Sequence, residues 1–139
     1  MTGGFPQHAA GHVPVLRLGD VLLVTLQGDL HDSAAEQLQQ DIGEAIAAHR
    51  SRGVVIDVSG VEIVDSFLGR VLAEIAAKAE LLAAQTVVAG MRPAVAITMV
   101  ELGLTLPGLR TALTAEEAVR GFGGTDPVLR TARTRLGSP

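Results

Sequence analysis

The sequence contains no cysteine, no tryptophan and no tyrosine, and it has only three phenylalanines among 139 residues. Without cysteine the chain forms no disulfide. Few aromatic rings are present for nucleic-acid bases to stack on, and the net charge of −4 offers no attraction for phosphate backbones. No apolar run approaches the ~20 residues that span a bilayer. These absences predict a protein that binds neither nucleic acid nor membrane.

The length and the two ends of the chain predict a single domain between flexible tails. At 139 residues the chain suffices for one ordinary hydrophobic core and is too short for two. Residues 1–12 show no periodic pattern, and the pattern dissolves again over residues 123–139, so the domain is predicted at residues 13–122. The start lacks the basic and apolar regions of a secretory signal, which favours the cytoplasm.

Strand and helix signals alternate along the domain after an opening hairpin. Residues 13–18 and 21–27 are short β-branched runs, and Gly19-Asp20 between them is a hairpin signal. Residues 53–58 form a nearly continuous apolar run, which is typical of a central strand covered on both faces. Further strands are predicted at residues 86–89 and 109–113. The pattern therefore predicts an α/β fold with a mixed sheet.

Four helices are predicted from apolar periodicity and from cap signals. Ser33 and Glu36 have capping-box spacing before a helix that ends near residue 50, and Thr114 and Glu117 repeat that spacing before a last helix to about residue 122. Pro93 suits the first turn of a short helix over residues 94–102. The longest helix is predicted at residues 66–83, with a buried stripe. That stripe comprises Phe67, Val71, Ile75 and Ala79, with Leu68, Leu72 and Leu82 beside it.

No pattern in the sequence predicts a metal site or catalytic machinery. His8 and His12 stand four residues apart, but the glycines and prolines around them do not favour a helix. Asp29, His31 and Asp32 lie where a strand ends and a helix begins, so capping explains them better than metal binding. Neither a nucleophile-elbow motif nor a phosphate-binding loop of the G-x-x-x-x-G-K type is present. We therefore predict a protein that is not an enzyme and carries no cofactor.

The pair Asp65-Ser66 stands between the central strand and the longest helix, and it allows two interpretations. Either side chain can be an ordinary helix N-cap, which stabilises a helix by ~1 kcal/mol. A serine hydroxyl at an exposed helix start is also accessible to a kinase, and its phosphate would add about −1.5 to −2 charge there. The helix dipole favours that charge, whereas Asp65 repels it.

Three blocks of sequence, taken in order, resemble the RsbS-type family of stressosome proteins, which are STAS-domain antagonists. The blocks are residues 13–20, residues 55–60 running on to Ile63-Val64-Asp65-Ser66-Phe67, and residues 90–96. The likeness covers about residues 13–122. It implies a STAS fold in which Ser66 is the phosphorylation target of an RsbT-like serine kinase.

The resemblance also implies a regulatory cycle. The unphosphorylated protein, assembled with RsbR-like sensor paralogues into an oligomer, sequesters the kinase, phosphorylation of Ser66 releases it, and a phosphatase resets the switch. A doubly charged group in a packed interface is costly, and ~1.4 kcal/mol already changes affinity tenfold. The partner surface is expected at the neighbours of Ser66, namely Asp65, Phe67, Gly69, Arg70, Gly90, Met91, Arg92 and Pro93.

Two other functions stay open at this point. A stand-alone antagonist would bind an anti-sigma kinase, but such proteins usually follow the target serine with a small residue and glycine, where this chain has Phe67-Leu68. Some STAS domains are proposed to bind nucleotides, which would make this a small-ligand module.

Sensor paralogues look as if they carry threonine in place of Ser66. The sequence does not decide whether Thr86 or Thr98 is a second phosphorylation site.

Overall fold

The computed structural model describes residues 12–28, 30–63, 65–103 and 109–122. The tails predicted at residues 1–12 and 123–139 lie outside these ranges, except for His12. In chain order the described elements are β1 Val15–Leu18, β2 Val21–Gln27, α1 Asp32–His49, β3 Gly53–Gly60, α2 Ser66–Leu81, β4 Gln85–Ala89, α3 Pro93–Glu101, β5 Leu109–Ala112 and α4 Ala115–Phe122. This order confirms the predicted alternation of strands and helices.

The described strands form one mixed sheet in the order β1-β2-β3-β4-β5. β1 and β2 pair antiparallel across the predicted turn, where Gly19 adopts a positive φ of 64°. The other neighbours pair parallel, with β3 between β2 and β4. The predicted hairpin and the central position of the apolar strand are therefore confirmed.

Alternate residues of β3 enter two separate hydrophobic clusters. Val54 and Ile56 pack with residues of α1, α2 and α3 on one face of the sheet. Val55 packs on the other face with Ala118 and Phe122 of α4. Because side chains alternate along a strand, a strand covered on both faces needs apolar residues at nearly every position. This explains the continuous apolar run at residues 53–58.

The buried stripe of α2 agrees with the prediction except at its two ends, since Phe67 at its start is only half-buried. Val71, Ile75 and Ala79 are buried, as are Leu68 and Leu72 beside them. Leu82, which was predicted to continue this face, is 40% exposed. The helix ends at Leu81 and Leu82 is the C-cap residue, so its side chain no longer follows the helical repeat.

The predicted capping box at the start of α1 is wrong. The helix begins at Asp32, before Ser33, and its N-cap residue His31 makes no side-chain cap hydrogen bond. The amide of Ala35 donates to the carbonyl of His31 at 2.8 Å, so helical bonding starts two residues before a cap at Ser33 would allow. Ser33 therefore lies inside the first turn. The cap predicted for α4 does form, because the amide of Glu117 donates to Thr114 Oγ1 at 3.1 Å.

The C-terminal end of α4 is held against the start of β3 by a glycine and an arginine. A Cβ atom placed on Gly53 would lie 2.7 Å from the Phe122 ring, so the ring packs directly on the bare backbone. Arg52 donates a side-chain hydrogen bond to the Phe122 carbonyl and pairs with Asp20 at 2.7 Å. Arg52 thus joins the β1–β2 turn to the end of α4.

We predict that Gly53→Ala destabilises the domain by about 1–3 kcal/mol, because the new methyl group displaces the Phe122 ring from a close-packed site. Urea denaturation of the wild type, Gly53→Ala, Phe122→Ala and the double variant measures the effect. In the Phe122→Ala background, Gly53→Ala should lower the free energy of unfolding by much less. An equal decrease in both backgrounds would show that the Phe122 ring does not require glycine at position 53.

Candidate functional site

The N-terminus of α2 is capped by Asp65. Its backbone is extended, with φ −125° and ψ 178°, and its Oδ1 accepts a hydrogen bond from the amide of Leu68 at 2.9 Å. Its carbonyl also accepts the first helical hydrogen bond, from the amide of Gly69 at 3.2 Å. An extended residue whose carboxylate binds an amide three residues ahead is a typical N-cap. The sequence allowed either Asp65 or Ser66 to be the N-cap residue, and the structure shows that it is Asp65.

Ser66 is the first helical residue of α2 and its side chain is exposed. Among the described residues none makes a hydrogen bond with its hydroxyl, because the cap role is filled by Asp65. The hydroxyl therefore lies at the surface, at the positive end of a helix, with no structural task within the described structure. A serine hydroxyl in this position is accessible from solvent.

The residues that follow Ser66 divide into exposed and buried ones. The guanidinium of Arg70 lies 5.6 Å from the centre of the Phe67 ring, which is a cation–π geometry. Phe67 is half-buried and packs against the core, whereas Arg70 is exposed. Gly69 is buried in the helix interface. Of the neighbours predicted to form a partner surface, Arg70 and part of the Phe67 ring are thus accessible and Gly69 is not.

The loop from Gly90 to Pro93 is held beside the end of β3. Gly90 has a positive φ of 75°, and a Cβ atom there would lie 2.9 Å from the Cβ of Ser59. Arg92 donates from Nε to the carbonyl of Ser59 at 3.1 Å, and it lies 3.9 Å from a carboxylate oxygen of Glu62. β3 and β4 are parallel neighbours, so both strands end at the same edge of the sheet.

This arrangement places the loop on the same edge as the segment that leads into α2. Arg92 of the loop contacts Ser59 and Glu62, and the amide of Gly90 donates to the carbonyl of Ala112 on β5 at 3.0 Å. None of these described contacts goes to Ser66. Met91 packs partly against the core, and Arg92 and Pro93 are exposed. The loop and the start of α2 therefore share an edge of the sheet without a hydrogen bond or ion pair between them in the described structure.

An exposed isoleucine beside Ser66 was not among the predicted site residues. Ile63 is 85% exposed although it precedes the α2 cap by only two residues. It borders a surface depression of about 310 Å³ together with Asp65 and Phe67. The rest of that lining is Gly28, Leu30, His31 and Leu68. The sequence feature that could have identified Ile63 as exposed is its position between Glu62 and the helix cap, in a segment without strand or helix periodicity.

The alternative phosphorylation sites differ from Ser66 in their accessibility. Thr86 in β4 is 1% exposed, and its hydroxyl is buried without a hydrogen-bond partner among the described residues. Thr98 in α3 uses its hydroxyl to donate to the carbonyl of Ala94 at 2.9 Å. Phosphorylation of Thr86 would require local unfolding of the sheet, whereas Ser66 needs none.

The other candidate clusters do not converge into a site. His8 and Asp29 lie outside the described residues, and His31 and Asp32 are exposed at the start of α1. Within the described ranges no three His, Asp or Glu side chains are grouped so that they could hold a metal ion. The helices of the described residues include none that is long and apolar enough to cross a bilayer.

Residues 12–118 match the sequence profile of the STAS domain. Among curated proteins, the RsbT co-antagonist protein RsbRA of Bacillus subtilis is 27% identical over 108 residues, which is 78% of this chain and 39% of that protein. The chain thus spans about two fifths of the length of this relative.

Two solved structures resemble this chain at 38% sequence identity. One is a chain in a structure of the stressosome, which is described as a signal integration and transduction hub. Its TM-score is 0.71, and the match covers 82% of this chain and 99% of that one. The other is RsbS of Moorella thermoacetica in a serine-to-glutamate variant, with a TM-score of 0.64 over 78% of this chain and 97% of that one.

We predict that Asp65→Ala and Ser66→Ala have different effects on stability. Loss of the Asp65 carboxylate leaves the Leu68 amide without its cap and should lower the free energy of unfolding by about 1 kcal/mol. Ser66→Ala should stay within about 0.5 kcal/mol of the wild type, because its hydroxyl makes no such bond. Chemical denaturation of both variants measures the free energy of unfolding. A larger decrease for Ser66→Ala than for Asp65→Ala would show that Ser66, and not Asp65, is the N-cap residue.

Proposed function

The chain belongs to the STAS domain family, and from this we propose that it is a non-catalytic regulatory protein of stressosome type, controlled by phosphorylation of Ser66. In the unphosphorylated state it sequesters a serine/threonine switch kinase, and the phosphorylated state releases that kinase. The observation that carries the proposal is the exposed Ser66 hydroxyl at the first position of α2, with the cap role filled by Asp65.

The relatives support this choice within the STAS family. RsbRA is named as a co-antagonist of RsbT, and the two structures at 38% identity are named for the stressosome and for RsbS. We therefore propose an RsbT-like kinase as the partner, and RsbR-like sensor paralogues as the proteins with which this chain assembles into an oligomer in the cytoplasm. A separate phosphatase would hydrolyse the phosphoserine and reset the switch.

The modification is a phosphoryl transfer in which the kinase supplies the catalytic groups. Ser66 Oγ attacks the γ-phosphorus of ATP, the new Oγ–P bond forms, and the bond between the γ-phosphorus and the bridging oxygen breaks. ADP leaves and the hydroxyl proton passes to a base of the kinase. On this chain the reaction requires an accessible hydroxyl, and the exposed Ser66 at the start of α2 provides one.

The expected effect of the phosphate follows from the surface around it. The exposed Ile63 comes three residues before Ser66 and the half-buried Phe67 follows it directly, so an interface over this segment would bury apolar surface close to the hydroxyl. A phosphate of about −1.5 to −2 charge cannot be desolvated there without large cost, and the Asp65 carboxylate adds repulsion. The helix N-terminus favours the negative charge, so the fold tolerates a modification that the interface does not.

The proposal is tested by capture of a cognate switch kinase with the wild type, Ser66→Ala and Ser66→Asp, followed by phosphopeptide mapping after addition of ATP. We expect the wild type and Ser66→Ala to retain the kinase, Ser66→Asp to bind it at least tenfold more weakly, and phosphate to appear on Ser66. A tenfold loss corresponds to ~1.4 kcal/mol. Equal binding by all three proteins, or phosphate at another residue, would contradict the proposal.

We further predict that Ile63 is an anchor of the kinase interface. Ile63→Ser removes an exposed apolar side chain beside Ser66 and should weaken kinase binding about tenfold or more, as truncation of an interface anchor does. The matched control is Leu81→Ser, since Leu81 is 87% exposed at the opposite end of α2. Titration of both variants against the kinase compares them. Equal losses, or none for Ile63→Ser, would remove Ile63 from the interface.

A further inference from the structure

We propose that Arg70 is the intramolecular receptor for the phosphate on Ser66, and that this pairing draws the Arg70 guanidinium off the ring of Phe67. The inference rests on the proposed phosphorylation of Ser66 and adds an acceptor for the phosphate within the same chain. With this pairing, phosphorylation would change the surface at three residues of the first turn of α2, namely Ser66, Phe67 and Arg70.

The geometry of α2 places Arg70 within reach of both groups. Ser66 and Arg70 are four residues apart and Phe67 and Arg70 are three apart, which are the two spacings at which helical side chains are neighbours. Helical side chains lean toward the N-terminus, so the Arg70 side chain extends back over the first turn. Its guanidinium lies 5.6 Å from the centre of the Phe67 ring, in the first turn of the helix that Ser66 begins. The four-residue spacing puts a phosphate on Ser66 within reach of the Arg70 side chain.

Among the described residues, Arg70 has no carboxylate partner that a phosphate would have to displace. The ion pairs of the described residues join Arg52 to Asp20 and Arg92 to Glu62, and none includes Arg70. The carboxylate of Asp65, one residue from Ser66, is bound to the amide of Leu68. In the described structure the guanidinium is held by a ring contact at the surface, which is among the weaker interactions of an arginine.

A phosphate on Ser66 offers Arg70 a stronger interaction than the ring does. Arginine and phosphate form paired, charge-assisted hydrogen bonds, and an acidic group four residues before a basic one is the favourable order on a helix. Arg92, which lies on the loop at the same edge of the sheet, is already bonded to the carbonyl of Ser59 and paired with Glu62. Arg70 is therefore the cation that the phosphate should recruit.

Recruitment of Arg70 has a consequence beyond neutralising part of the new charge. When the guanidinium leaves the ring, one face of Phe67 is uncovered and a cation is withdrawn from the surface. A partner that recognises the unphosphorylated protein thus meets three altered groups after modification. An aspartate at position 66 has a shorter reach and a lower charge than phosphoserine, so it should recruit Arg70 only weakly.

The test uses fluorine NMR on the full chain with phosphoserine incorporated genetically at position 66. The chain has three phenylalanines, so labelling with 4-fluorophenylalanine gives three resonances, and loss of one in Phe67→Leu assigns that residue. We expect phosphorylation to move the Phe67 resonance toward its position in the unphosphorylated Arg70→Gln protein, in which the ring is already uncovered. In phosphorylated Arg70→Gln the resonance should barely move.

Two variants control for charge and for folding. Arg110→Gln removes an exposed arginine on β5 and should leave the response of Phe67 to phosphorylation unchanged. Arg70→Lys keeps the charge without the planar guanidinium and should show a reduced response. An equal movement of the Phe67 resonance with and without Arg70 would overturn the inference. Phosphoserine is installed here without a kinase, so an equal movement would contradict the Arg70 pairing and leave the proposed function intact. Conversely, if a kinase failed to modify Ser66, the proposed function would fail and the Arg70 pairing would be unaffected.

Discussion

β3 is covered on both of its faces, by residues of α1, α2 and α3 on one side and by α4 on the other. The parallel pairing of β3 with β4 then brings the ends of both strands to one edge of the sheet. The segment that leads into α2 and the loop that leads into α3 both leave from that edge. The position of Ser66, and of the loop from Gly90 to Pro93, depends on this burial of the central strand.

At the start of α2, the helix cap and the exposed hydroxyl belong to different side chains. Asp65 satisfies the Leu68 amide and fixes the first turn, while Ser66 keeps its hydroxyl at the surface. A modification of Ser66 therefore need not disturb the hydrogen bond that holds the helix start. Under the proposed function, this division lets one face of the domain present two states to a partner. The buried strands and the carboxylate cap keep the fold, and only exposed groups change.

The exposed groups near Ser66 also form a compact set. Ile63 supplies exposed apolar surface three residues before Ser66, and Phe67 and Arg70 follow Ser66 within about one helical turn. Apolar contact favours an interface, and a phosphate at its centre opposes it through desolvation. Under the proposed function, the energy for the change comes from the ATP that the kinase consumes.

The sequence by itself determined the order of strands and helices, the central position of β3 and the placement of Ser66 at a helix start. These follow from local signals: the apolar period, a hairpin at Gly19-Asp20, and the cap at Thr114. The tertiary structure decided what local signals leave open. It gave the α2 cap to Asp65, moved the start of α1 ahead of Ser33, exposed Ile63 and joined Arg92 to Ser59. Each of these outcomes depends on which backbone and side-chain groups meet once the chain is folded, and periodicity along the chain does not carry that information.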